Sequence, residues 1–149
     1  MPKISKKGAL MPESPIRKLV PYSDAAKKKG RNVFHLNIGQ PDIETPKEAL
    51  DAIRKEDYNV LAYTHSQGVV EYREKLAKYF KEVAGIPDLT PDNFITTTGG
   101  SESLLFTLGS ICDDGDQVII PEPFYANYNG FTQSSGVEIV SIESKKKLV

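Results

Sequence analysis

The chain has 149 residues, 39% hydrophobic and 26% charged, which suits one globular domain and excludes a disordered tail. A net charge of −1 leaves no basic field to attract nucleic acid and no acidic excess. No run approaches the roughly 18 apolar residues of a membrane span, no secretory apolar stretch follows MPKISKKGAL, and one cysteine cannot form an internal disulfide, so a soluble cytoplasmic protein is expected.

Ser14-Pro15 predicts the start of a first helix, with serine as N-cap, proline where a missing N–H costs nothing, and a candidate interruption at Pro21. Lys27-Lys28-Lys29-Gly30 places cations at the negative end of the helix dipole, followed by a terminating glycine. Val33 to Ile38 reads as a short extended stretch that Gly39-Gln40-Pro41-Asp42 breaks. Thr45-Pro46-Lys47-Glu48 has the form of a capping box, opening a helix with Ala49, Leu50 and Ile53 on one face. Tyr58 to Gly68 reads as a loop. From Val69 to Val83, Val69, Tyr72, Leu76, Tyr79, Phe80 and Val83 recur at helical spacing and predict a core-facing stripe, ended by Gly85-Ile86-Pro87.

After Thr90-Pro91 the pattern becomes strand (Phe94–Thr98), helix (Ser101–Cys112), turn (Asp113–Asp116) and strand (Gln117–Ile120), with another alternating strand over Val137–Ile142. This predicts a right-handed βαβ arrangement with parallel strands. Cys112 is expected to be a small buried core residue. Neither His35 nor His65 has partners at metal-ligand spacing; His35 reads as a structural strand residue.

The joint TTTGGSE, residues 96–102, hands a strand to a helix. In open parallel sheets ligands sit there, because first-turn amides and the helix dipole favour an anion and glycine lets backbone approach closely. Gly100 and Ser101 are therefore candidates for a phosphate cradle, with Glu102 an awkward but tolerable neighbour. A tight turn with Ser101 as a cap is the simpler reading of these residues taken alone. Neither a P-loop nor G-x-G-x-x-G is present. At the next strand end, Pro121-Glu122-Pro123-Phe124-Tyr125-Ala126-Asn127-Tyr128 offers aromatics that can stack on a flat ring or fill the core.

Four blocks, NIGQPDIETP, AYTHSQGVVEYREKLAKYF, ITTTGGSESLLFTL and GDQVIIPEPFYANY, stand in an order and spacing that resembles the N-terminal part of class I aminotransferases of fold type I. The resemblance runs from about residue 14 to about residue 142. It implies an α/β fold: a three-layer α/β/α large domain preceded by an N-terminal helical arm, truncated here. Residues 1–44 would be the arm and small-domain segment, and residues 45–149 the first part of the cofactor domain. It also implies pyridoxal 5'-phosphate as cofactor, amino-acid and 2-oxo-acid substrates, and a homodimer.

By the same resemblance Gly39 meets the substrate carboxylate through its backbone, and Tyr63 reaches the cofactor phosphate of the neighbouring subunit. Gly100, Ser101 and Glu102 belong to the phosphate cradle, Tyr125 stacks on the pyridine ring, and His65 has a supporting place near the dimer interface. The Schiff-base lysine and the phosphate- and carboxylate-binding arginines of the family come later than residue 149. Lys145, Lys146 and Lys147 lie too early to match that lysine and read as a solvated charge run. The chain alone is thus expected to be an inactive N-terminal fragment. Rival outcomes are another fold-type I enzyme, such as a carbon–sulfur lyase, decarboxylase or synthase, and a non-catalytic cofactor-binding or interaction module.

Overall fold

The computed structural model describes residues 2–144, so the lysine run at 145–147 lies outside the described residues. The chain divides into two compact units, one formed by Met1–Gly39 with Gly99–Val149 and the other by Gln40–Thr98.

The first unit opens with a short helix α1 (Lys6–Ala9), whose N-cap Ser5 accepts the Gly8 N–H at 3.0 Å. Ser14 does act as a cap, but of a tighter turn: its Oγ accepts the Arg17 N–H at 3.3 Å, and a 3₁₀ turn at Arg17–Leu19 leads into α2 (Val20–Lys28). Pro21 falls in the first turn of α2, where no intrahelical donor is needed, so it helps start the helix rather than interrupting it. Gly30, at φ 73°, ends the segment as expected. Val33–Ile38 is not a strand. With no ladder partner among the described residues, its backbone bonds locally, Leu36 N–H to Phe34 C=O at 3.1 Å and Ile38 N–H to His35 C=O at 3.5 Å.

The second unit holds α3 (Lys47–Lys55) and α4 (Val70–Val83). Pro46, not Thr45, occupies the N-cap of α3, and no side chain caps it, so the expected capping box is absent. The reciprocal cap exists further on, at the 3₁₀ turn Pro91–Asn93, where Asn93 Oδ1 accepts the Thr90 N–H at 2.8 Å. The expected apolar stripe of α4 is only partly covered. Arg73 and Ala77 are the buried residues, Leu76 and Phe80 are half-buried, and Tyr72, Tyr79 and Val83 remain exposed. Phe80 packs against Phe94 with ring centroids 5.7 Å apart, which ties α4 to the segment after the 3₁₀ turn.

Phe94–Thr98 is extended but joins no ladder among the described residues; Thr96 N–H instead reaches Gln67 C=O at 2.9 Å. Strand propensity set this stretch straight, but pairing requires a neighbour.

Back in the first unit, α5 (Gly100–Ile111) precedes β1 (Gln117–Glu122), α6 (Tyr128–Ser135) and β2 (Glu138–Glu143). β1 and β2 run parallel in register from Gln117 opposite Glu138 to Glu122 opposite Glu143, with α6 as the crossover. The parallel βαβ expectation is met, though by β1–α6–β2 rather than by a strand at 94–98. α6 was not expected: its Asn, Gly, Thr and Ser residues are modest helix formers. Packing makes it, through Thr132, which is buried and bonds back to Tyr128 C=O at 2.9 Å, and through Gly136 at φ 75° closing its end. Leu108 of α5 and Val137 are the other buried core members of this unit. Cys112 corrects another expectation, being half-buried at the C-cap of α5 rather than inside the helix.

Candidate functional site

The glycine joint starts α5. Gly99 is its N-cap at φ 80° and ψ 174°, a backbone state that side chains with a Cβ resist. A Cβ built on either Gly99 or Gly100 would meet nothing within 4 Å, so the space over this helix start is open. The first intrahelical bond runs from Ser103 N–H to Gly99 C=O at 3.4 Å, and by helix geometry the amides of Gly100 and Ser101 precede it at the helix start. Ser101 is exposed, and Glu102 is half-buried in the first turn, where its charge complements the dipole.

Tyr125 is 51% exposed rather than turned into the interior. Its phenolic oxygen accepts Nδ2–H of Asn127 at 2.7 Å, and its ring meets Tyr128 edge-on, centroids 6.1 Å apart. Tyr128 in turn meets Phe131 edge-on at 6.5 Å. These contacts hold the ring by its hydroxyl and against Tyr128 while leaving about half of it exposed. A cavity of about 620 Å³ is walled by Leu104 and Leu108 of α5, by Ile120 of β1 and by Phe124, Tyr125 and Tyr128. Leu104 is one turn along from Gly100, so the helix that starts at the glycines and the aromatic after β1 share one apolar space. A helix start opened by two glycines, on a helix that shares an apolar cavity with an aromatic ring, suits a flat, phosphorylated ring.

Gly39, the candidate for a substrate carboxylate, lies in the same unit with open space around its Cα. Its neighbour Ile38 and Tyr125 border a second cavity of about 470 Å³. Tyr63 belongs to the second unit and is fully exposed in the loop before α4. His65 holds that loop: its Nδ1 accepts the Gln67 N–H at 3.3 Å, and its C=O accepts the Gly68 N–H at 2.8 Å. His35 Nε2 lies 3.4 Å from Ser23 Oγ and has a local role. In the same loop the Tyr58 phenol is raised above its ordinary value near 10, chiefly by its hydrogen bond to Glu56 and then by that carboxylate's charge. Asn127 was missed in the sequence, though it was readable as a polar side chain two residues beyond Tyr125.

Residues 31–148 match the profile of the family described as aminotransferase class I and II. The chain belongs to that family. Among its relatives, the (5-formylfuran-3-yl)methyl phosphate transaminase of Methanocaldococcus jannaschii is 42% identical over 113 residues, covering 75% of this chain and 30% of the relative. The aspartate aminotransferase of Pyrococcus horikoshii is 35% identical over 126 residues, 84% of this chain and 31% of the relative. Of solved structures, the alanine aminotransferase from Pyrococcus furiosus superposes with a TM-score of 0.82 at 32% identity, covering 95% of this chain and 36% of that one. The aspartate aminotransferase from Thermotoga maritima gives 0.81 at 29% identity, covering 95% and 38%. The fold is that of these enzymes, and the chain spans about a third of the length of the relatives it matches. Among the described residues no helix is long and apolar enough to cross a membrane.

Proposed function

We propose that this chain is the N-terminal portion of a pyridoxal-phosphate-dependent aminotransferase that moves an amino group from an α-amino acid to a 2-oxo acid. The observation that carries the reading is the open helix start at Gly99 and Gly100, on the same helix that walls the cavity shared with Tyr125. When bound, the cofactor supplies the electron sink for chemistry at the substrate's α-carbon. The chain's own residues bind and orient it. The backbone amides of Gly100, Ser101 and Glu102 and the Ser101 hydroxyl hold the phosphate, and Tyr125 lies against the ring. The Gly39 backbone receives the substrate carboxylate. On this reading the protein is a cytoplasmic homodimer in which Tyr63 serves the neighbouring subunit's phosphate. Residues 1–44 then form the arm and small-domain segment, and residues 45–149 the first part of the cofactor domain.

A calorimetric titration with pyridoxamine 5'-phosphate, which lacks the aldehyde that would react with surface lysines, tests this. The unsubstituted chain is expected to bind. Gly100→Ala puts a methyl group into the open space without touching the chain, and alanine is the better helix former by about 1 kcal/mol. The variant should therefore be at least as stable as the parent yet bind about tenfold more weakly, the scale of one charge-assisted hydrogen bond. Tyr125→Leu should lose roughly 2- to 10-fold. Binding by the unsubstituted chain that is unchanged in Gly100→Ala would refute the assignment of the phosphate to this helix start.

A further inference from the structure

We propose that the first 31 residues form a docking surface for an anionic lipid bilayer, a role beyond the aminotransferase reading and independent of it. The near-zero net charge conceals a strong division. Residues 1–31 hold nine lysines and arginines against two acids, Glu13 and Asp24, whereas residues 32–149 hold ten against eighteen. A formal charge of +7 thus precedes one of −8. Such an asymmetry points to a polyanionic partner for the basic segment.

The cations stand ready to meet one. All nine are exposed. Among the described residues only Lys7 has an acid within ion-pair distance, Asp114 at 3.5 Å. The segment is nevertheless folded rather than loose. Ser5 caps α1, and Asn37 Nδ2–H donates to Ile16 C=O at 3.3 Å just before α2. Ser23 and Ala26 are half-buried and three residues apart, so they mark the inner face of α2. Tyr22, Ala25, Lys28 and the C-cap Lys29 therefore lie outward, with Asp24 the one acid beside them.

Apolar side chains decide the kind of polyanion. Ile4 is 82% exposed, Leu10 70% and Tyr22 76%, each within four residues of a lysine. A nucleic acid offers phosphates but no place for isoleucine or leucine to enter. A bilayer interface offers both, an anionic headgroup layer and acyl chains a few Å beneath it. Seven of the nine cations are lysines, whose stems can lie along apolar surface while the ammonium stays at headgroup level. The acidic remainder of the chain is repelled by the same surface, so the basic segment meets it first.

The test sediments the chain with vesicles of equimolar phosphatidylcholine and phosphatidylserine, and with vesicles of phosphatidylcholine alone. At about 0.1 M salt, where charges act over roughly 10 Å, binding to the anionic vesicles is expected and binding to the neutral ones is not. Lys27→Gln/Lys28→Gln/Lys29→Gln should weaken it about a hundredfold, each lysine near such a surface contributing about fivefold. Ile4→Ser/Leu10→Ser should weaken it about tenfold. Both variants change exposed side chains, so their far-ultraviolet circular dichroism should match the parent's. No sedimentation, equal binding to both vesicles, or undiminished binding by the lysine variant overturns the proposal. Loss in the lysine variant with none in the serine variant would assign a bare polyanion, such as a nucleic acid, and overturn the lipid assignment.

Discussion

Gly68→Ala is expected to destabilise the chain by about 3 kcal/mol, combining left-handed backbone strain with overpacking. Gly68 sits at φ 93°, and an added Cβ would collide with Thr96 Oγ1 and stand 2.5 Å from Thr96 Cβ. A Cβ cannot swing aside as the tip of a long side chain does, so the backbone must yield. The backbone there is pinned, because Thr96 N–H is bonded to Gln67 C=O at 2.9 Å. Gly85→Ala is the control: its φ is 69°, yet nothing lies within 4 Å of the new atom, so only the conformational cost of about 1–2 kcal/mol applies. Urea unfolding followed by far-ultraviolet circular dichroism measures both. Equal losses for the two variants would show that the Thr96 contact contributes nothing.

The second large effect is expected at Arg73, only 4% exposed. Its Nε–H donates to Gly68 C=O at 3.3 Å and an Nη1–H to Pro91 C=O at 2.8 Å, so one guanidinium ties the end of the Tyr63 loop to the 3₁₀ turn after α4. Nη1 is also 3.7 Å from Asp92, whose side chain is 90% exposed. Arg73→Ala removes both carbonyl bonds and leaves a void, an expected loss of about 3 kcal/mol. Asp92→Asn removes only a solvent-screened charge and should cost under about 1 kcal/mol. Hydrogen exchange at the Thr96 amide should accelerate in Arg73→Ala and stay unchanged in Asp92→Asn. Comparable losses in the two variants would assign the stabilisation to the ion pair rather than to the carbonyl clasp.

The sequence disclosed what is encoded locally. The lysine run and Gly30 gave the end of α2, the glycines at 99–100 the start of α5, and the alternation after Val137 gave β2. It misled where a partner decides the outcome. Phe94–Thr98 has strand-forming residues but no ladder among the described residues, and Val33–Ile38 turns on itself. The α4 stripe was drawn from apolar residues alone, so the buried arginine on that helix escaped notice, since burial of a charge depends on carbonyls distant in sequence. For the candidate site, the glycine joint and Tyr125 were legible because steric freedom and an aromatic ring are properties of single residues. Asn127's bond to Tyr125 and the second cavity beside Tyr125 arise only when the arm, Ile38 and the loop after β1 are folded together.

The edge-on succession Tyr125–Tyr128–Phe131 has one more consequence. The chain contains no tryptophan, so its near-ultraviolet optical activity must come from tyrosine and phenylalanine transitions coupled in fixed, chiral geometry. A ring ligand laid against Tyr125 would join that coupled set. The molecule thus carries an intrinsic chiroptical reporter at the place where its ligand is proposed to lie, and no label is needed to read it.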